Sequence, residues 1–329
     1  MKTKVGVVGL GVMGQHHVRL YSQLGCELVG VVDVDPKRAK EIGDKYETNY
    51  YSDYHELLPR IDAVSIAVPT TLHHAVAMDF LNRGVHCLVE KPIALTVAEA
   101  NEMIASASIH KANLAVGHVE MFNPAVLKLK QIIDEGTLGK LLIISTRRVG
   151  PFVSRIRDVG VVIDSATHDI GVVKNLIGKD PVSVFSRVGS LKHTKDDHAV
   201  IVLDFEGTTA CIEVNWFTPH KVRTLVVTGS EGTASLDYIE QKLIVYNSHY
   251  VEVEDIQKTE PLKLELENFL RSITEGEKLI VDGFEGREIL RIALECTKNN
   301  YSVFKPWYDI SDRISHIRKV FVASNLNLT

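Results

Sequence analysis

Residues 9–14 read Gly-Leu-Gly-Val-Met-Gly and stand between an apolar strand pattern at 4–10 and a helical pattern at 13–24. Few folds accommodate that arrangement. The first glycine permits a tight turn, the second lets backbone approach a pyrophosphate, and the third lets helix and strand pack closely. Unpaired amides at the helix start then face phosphate oxygens. Asp33 closes the next strand, 19 residues after Gly14. A carboxylate there accepts both ribose hydroxyls of an adenosine and repels a 2′-phosphate, so the pattern predicts NAD over NADP. Lys37 and Arg38 follow closely and offset part of that repulsion. Gly9, Gly11, Val12, Met13, Gly14, Asp33 and Arg38 are the expected cofactor contacts of this segment.

The pattern around the fingerprint is consistent with it. Strand runs at 4–10, 28–34, 61–68, 86–90 and 114–118 alternate with helical stretches, one opened by Pro36 behind Asp35 and one by Thr96. Strands apolar on both faces and separated by helices call for a parallel sheet covered on each side. Residues 1–119 are therefore predicted to be a doubly wound α/β (Rossmann) NAD-binding domain. At 329 residues the chain has room for about two domains. From 182 onward the rhythm becomes strands and turns, with Glu206-Gly207 and Glu231-Gly232 as punctuation. Residues 120–300 are predicted to be an α+β domain with a mostly antiparallel open sheet, one face of which is free for a partner subunit. Residues 301–329 read as a tail packed on the body or on a partner subunit.

Charge and cysteine usage narrow the function classes. With 37 basic and 42 acidic residues the net charge is −5, which gives no reason to expect nucleic acid or an anionic membrane. Four separated cysteines without a CxxC pair predict reduced thiols in a cytoplasmic protein. The N-terminal apolar run is cut by glycines and reads as neither signal peptide nor membrane span. No HExxH or clustered cysteines predict a metal, and no GxSxG predicts a serine nucleophile.

Two elements carry candidate chemistry. Val68-Pro69-Thr70 ends one strand at the carboxyl edge of the sheet and Glu90-Lys91-Pro92 ends the next, where ligands of such sheets bind. Val68, Pro69, Thr70, Glu90 and Lys91 are expected beside the cofactor. Thr70 also reads as a helix cap, and His73 and His74 as ordinary helix residues, with His73 near enough to border the cofactor. A charged lysine after an apolar strand needs a partner or a role, such as polarising a substrate hydroxyl. Asp164 and His168 are four apart on one helical face. A carboxylate beside an imidazole fixes its tautomer and raises its basicity, which suits a general base. A helix-stabilising pair without chemistry fits the spacing equally.

With these elements in order, the sequence resembles the glucose-fructose oxidoreductase / inositol 2-dehydrogenase family over roughly residues 3–300. The most specific parts are the glycine fingerprint, AVPTTLHHAVAMDFLNRGVHCLVEKPIA (67–94) and DxxxH (164–168). The resemblance implies that Lys91, Asp164 and His168 form the catalytic group, with NAD(P) as cofactor and dimers or tetramers built on the second sheet. One departure is Gly171, where many members carry an acidic residue or histidine three positions after the motif histidine.

Within the family, VGHVEMFNPAV (116–126), LKQIIDEGTLGK and VGPFVSRIRDVGVVID (149–164) resemble the UDP-N-acetylglucosamine 3-dehydrogenases, with Met121 in place of the usual arginine. That likeness implies a nucleotide-sugar substrate contacted by His118, Asn123, Arg148, Arg155, Arg157, Asp164 and His168. Arg147, Arg148, Arg155 and Arg157 suit a diphosphate independently, because arginine forks grip phosphate oxygens. The expected reaction is oxidation of a sugar secondary alcohol by direct hydride transfer. The alternatives are a free polyol or monosaccharide dehydrogenase, and a non-catalytic dinucleotide sensor or scaffold.

Overall fold

A computed structural model of the chain describes residues 2–152, 159–248, 251–298 and the backbone of 301–303. The first part runs β1 (Lys4–Val8), α1 (Val12–Tyr21), β2 (Glu27–Val32), α2 (Pro36–Lys45), β3 (Asn49–Tyr51), β4 (Ala63–Ile66), α3 (Thr70–Leu81), β5 (His86–Glu90), α4 (Val97–His110) and β6 (Leu114–Gly117). All pairings are parallel and the strand order is β3-β2-β1-β4-β5-β6. The order reverses between β1 and β4, so the carboxyl ends of those strands open a crevice. β1, β4, β5 and β6 are buried almost end to end, as a sheet covered on both faces requires.

Local chemistry fixes the helix starts. Asp35 accepts from the amides of Lys37 and Arg38 ahead of Pro36, and Thr96 with Glu99 makes a reciprocal capping box on α4. Thr70 does not cap α3. It is the first helical residue behind Pro69, and no side chain caps that end. β3 carries no signal in the sequence reading: it is a three-residue edge strand, mostly exposed.

The second part contains α5 (Pro124–Asp134), β7 (Leu141–Pro151), a π-helical turn over Val162–Ala166 and α6 (Thr167–Ile177). Then come β8 (Ser183–Gly189), β9 (His198–Asp204), β10 (Thr209–Asn215), β11 (Phe217–Gly229), β12 (Gly232–Asp237), β13 (Lys242–Asn247) and β14 (Val251–Val253). Helices α7 (Pro261–Thr274) and α8 (Gly283–Cys296) and strand β15 (Tyr301–Val303) end the described chain. The sheet order is β14-β13-β12-β11-β7-β10-β9-β8-β15, antiparallel except where β10 runs parallel to β7. Helices α5, α6 and α8 pack on one face. The other face carries Ile143, Phe185 and Val200, all exposed in the single chain.

The last two helices are shared between the two sheets. α7 lies on α1 and on the turn Val119–Phe122, while α8 contacts α4, β6 and α6. Backbone joins the parts as well, through the Val116 amide to the Val281 carbonyl at 3.1 Å. Three of the four cysteines, Cys26, Cys87 and Cys296, are buried and all four are free thiols. Among the described residues no helix is long and apolar enough to cross a membrane.

Candidate active site

The glycine fingerprint forms the turn between β1 and α1. Gly9 has φ +90°, and a β-carbon there would lie 2.5 Å from the Ala67 carbonyl oxygen. A β-carbon on Gly14 would lie 1.8 Å from the Gly9 carbonyl oxygen. These two positions require glycine for different reasons, backbone conformation and close packing. Above Gly11 there is open space, with no atom within 4 Å of the position a β-carbon would take. No side chain caps α1 and its first turn has no acidic residue. Such a turn fits a dinucleotide pyrophosphate, held by amides and the helix dipole.

Asp33 is buried beside this turn. Its Oδ2 accepts the Leu10 amide at 2.8 Å and its Oδ1 accepts the Asp35 amide at 2.9 Å. Arg38 donates to Asp33 Oδ2 at 3.3 Å. The arginine therefore partly neutralises the carboxylate expected to receive the ribose. Met13 and His16 line a cavity of about 360 Å³ together with Glu120, Asn123, Arg223 and Tyr238. This cleft joins the fingerprint helix to the second sheet.

The strand-end turns on either side of the crevice are braced from inside. His73 is buried, with Nδ1 at 2.8 Å from the Pro92 carbonyl and Nε2 at 2.9 Å from the Val68 carbonyl. Its ring ties the Val68-Pro69 turn to the Lys91-Pro92 turn, whose peptide bond is cis. That occupies both nitrogens, so the ring is not presented to a cofactor as the sequence reading expected. Glu90 also departs from that expectation. Its carboxylate turns inward to His17 Nε2 at 3.0 Å, and His17 Nδ1 meets Ser65 Oγ at 3.0 Å. Tyr21 continues the chain, with its hydroxyl 2.8 Å from Ser65 Oγ. Burial pushes the Glu90 carboxyl up, but the bond and charge of His17 pull it further down, leaving it ionised. Glu265 on α7 is close enough to feel that charge. It is 2% exposed, neither carboxyl oxygen has a partner among the described residues, and burial followed by Glu90 raises it well above the ordinary carboxylate range.

The candidate reacting groups converge where the two parts meet. Lys91 Nζ donates to the Asp164 carbonyl at 2.6 Å and to Asp164 Oδ1 at 3.2 Å. The π-helical turn presents Asp164 to that lysine, and the aspartate also accepts the Ser165 hydroxyl at 2.9 Å. Nδ1 of His168 is buried and has no partner among the described residues. Asp164 thus bonds Lys91 and Ser165, and Nδ1 of His168 takes no part in those bonds. Burial, followed by the charges of Lys91 and Arg148, holds His168 well below its ordinary value. His118, at the end of β6, is 2% exposed with both ring nitrogens unpartnered among the described residues. Burial and Lys91 push it down to about 3. Two neutral imidazoles with open nitrogens thus stand near one lysine–aspartate pair, a set suited to a hydroxylic ligand.

The arginines divide by strand parity. On β7, Ile144, Thr146 and Arg148 point inward and Arg147 outward, where it pairs with Glu213. Arg148 is 5% exposed and donates to Asp169 Oδ2 at 2.7 Å and to Glu120 Oε1 at 2.8 Å. That commitment to two buried carboxylates removes Arg148 from phosphate binding, since either one left alone would be an unpaired buried charge. Asn123 is likewise occupied. It caps α5 through the Ala125 amide and donates to the Tyr238 carbonyl at 3.0 Å. Arg155 and Arg157 lie outside the described residues.

Sequence reading missed Arg223, Glu120, His17 and Glu265. Arg223 could have been found: on β11 it shares the inward parity of buried Leu225 and Val227, where a charge needs a reason. Among the described residues no three His, Cys, Asp or Glu gather as a metal site.

Comparison with known proteins agrees with this fold. Residues 3–118 match the model of an oxidoreductase family with an NAD-binding Rossmann fold, and residues 126–235 match the GFO/IDH/MocA C-terminal domain. The chain is 30% identical over 303 residues to the UDP-N-acetylglucosamine 3-dehydrogenase of Acidithiobacillus ferrooxidans, covering 89% of this chain and 95% of that protein. The solved structure of that enzyme superposes with a TM-score of 0.85, covering 91% of this chain and 98% of the other. A myo-inositol 2-dehydrogenase of Thermotoga maritima is 26% identical over 319 residues, 90% of this chain and 96% of its own. An oxidoreductase from Agrobacterium radiobacter, 18% identical, shares the fold at a TM-score of 0.86 over 92% of this chain and 98% of its own. The chain belongs to the Gfo/Idh/MocA oxidoreductase family and is an NAD-dependent oxidoreductase acting on CH–OH groups.

Proposed function

We propose that this protein oxidises a secondary alcohol of a nucleotide sugar, the C3 hydroxyl of UDP-N-acetylglucosamine, to the ketone. The observation that carries the reading is the Lys91–Asp164 pair beside neutral His168, at the meeting of the two parts. The near full-length similarity to a UDP-N-acetylglucosamine 3-dehydrogenase supports the substrate. Asp33 supports NAD over NADP, because a 2′-phosphate would meet a buried carboxylate, offset only by half-exposed Arg38.

When bound, NAD supplies the hydride acceptor at C4 of its nicotinamide ring. His168 is the base and takes the hydroxyl proton on a ring nitrogen, which it can do because burial keeps it neutral. Lys91 donates from Nζ to the substrate oxygen and stabilises the negative charge that develops there. Asp164 orients Lys91, and Thr167 steadies the start of α6 by bonding the Ile163 carbonyl at 2.9 Å. The cations that weaken His168 as a base also make the alcohol a stronger acid, so the two effects offset each other. Assembly as a homodimer or homotetramer through the open face of the second sheet completes the reading.

The test is NADH formation by the purified protein against UDP-N-acetylglucosamine, free sugars and inositols, with NAD and NADP in parallel. The reading expects the UDP-sugar to win and NAD to be preferred. Turnover of inositol or free sugars alone would replace it with a polyol dehydrogenase.

A further inference from the structure

We infer that Arg223 is the anion-recognition residue of this cleft and holds a phosphate oxyanion of the substrate. The inference rests on the cleft being the substrate site, and it assigns a role the sequence reading gave to other arginines. Arg223 sits directly opposite Arg148 in the register of β11 on β7, so both guanidinia reach the same side of the sheet. Their circumstances differ. Arg148 is sealed between Asp169 and Glu120, as described above. Arg223 has a side chain 39% exposed, and its one hydrogen bond among the described residues goes from Nη1 to Glu120 Oε1 at 3.4 Å. That oxygen is already taken by Arg148 at the shorter distance of 2.8 Å.

A guanidinium has five N–H donors in a planar fork. Four of those of Arg223 therefore have no protein acceptor among the described residues, and the side chain lines the cavity that also holds Met13 of the fingerprint. The other charges nearby are already matched, Asp164 by Lys91 and Asp169 by Arg148. A polyol hydroxyl accepts single neutral hydrogen bonds from such a fork, whereas a phosphate accepts two parallel, charge-assisted ones and balances its charge. Arg223 lies within electrostatic reach of Asp164 and His168. Arg148, directly opposite it, bonds Asp169 next to His168, so the anion would sit on the second-sheet side of the cleft and not beside Asp33.

The experiment is a steady-state comparison of wild type, Arg223→Gln and Arg223→Lys, with saturating NAD. The substrates are UDP-N-acetylglucosamine, N-acetylglucosamine 1-phosphate and uncharged N-acetylglucosamine, and uridine diphosphate is titrated as a competitor. Losing one charged hydrogen-bonding group should raise KM for the phosphorylated sugars and the inhibition constant of uridine diphosphate by about 10- to 100-fold. The KM for NAD and the circular dichroism spectrum should be unchanged, which shows that the variants are folded, and the KM for uncharged N-acetylglucosamine should move far less than that for the phosphorylated sugars. Lysine should recover part of the loss, and the effect should shrink at high salt. An unchanged KM for the phosphorylated sugars overturns the inference, as does a rise confined to the KM for NAD, which would mean a cofactor contact. Should wild type oxidise none of the phosphorylated sugars while Arg223→Gln still weakens uridine diphosphate, the inference stands for another phosphorylated substrate and the UDP-N-acetylglucosamine reading falls. If uridine diphosphate does not bind wild type and only uncharged sugars turn over, both fall.

Discussion

His168 shows how far one side chain's surroundings change what its spacing implies. Four residues from an aspartate, it reads as an imidazole made more basic; in the fold that aspartate belongs to Lys91 and the imidazole is depressed by burial and cations. The two situations predict different pH profiles. With its value held well below the ordinary 6.5, His168 is already neutral at neutral pH. The acid limb of kcat/KM for the sugar is therefore expected below the ordinary imidazole range. A limb centred above pH 7 would mean that a carboxylate supports the histidine after all. Glu265 gives a second test, on stability. Its carboxyl stays protonated in the folded chain and ionises normally when unfolded, so above the ordinary carboxylate range the folded state holds more protons and stability falls as pH rises. Glu265→Gln keeps the shape and removes that dependence. Its Tm should exceed that of wild type by a few degrees near pH 8, and the gap should close near pH 4. A lower Tm at pH 8 would show that Glu265 is ionised and paired.

Among the elements, those with a strong local cause were readable and those set by tertiary context were not. The fingerprint turn, the Asp35 and Thr96 caps and the proline-led α5 follow from side chains within four residues of each other. β3 has no such cause, being an edge strand of three residues held by pairing with β2. The π-helical turn at Val162–Ala166 likewise has no local signature, yet it presents Asp164 to Lys91. Strand parity was the signal left unused. It separates Arg147 from Arg148 and would have flagged Arg223. The same parity defines the outer face of the second sheet. There Val202, Cys211, Ser145, Val226, Ser235 and Ile244 are successive cross-strand partners. Charge at the middle of that row should prevent another copy from packing on it. Val226→Asp is expected to lower the mass seen by light scattering to that of one chain while leaving the fold intact by circular dichroism. A wild-type protein that is already a single chain, or a variant of unchanged mass, would contradict assembly through this face.

Across the whole molecule, the reacting groups come from segments that share no local signal. Lys91 ends a strand of the first sheet, Asp164 and His168 open a helix on the second, and residues 73 apart meet through one lysine. Sequence flagged Lys91 and the Asp164–His168 pair separately, and only the family pattern joined them, since nothing in their spacing says that the two parts face each other. The clasp by α7 and α8 was not readable either. Those helices follow the second sheet in the chain, yet they pack on α1, α4 and β6. Their burial fixes the cleft between the fingerprint and Arg223. The proposed reaction moves hydride directly from a sugar carbon to the cofactor beside Lys91, Asp164 and His168. UDP-N-acetylglucosamine carrying deuterium at C3 tests it most directly, with the reduced cofactor analysed by mass spectrometry. The account predicts NADH heavier by one deuterium per turnover in wild type and no reduced cofactor from His168→Ala. Unlabelled NADH, with the deuterium retained in the sugar or lost to water, would contradict it.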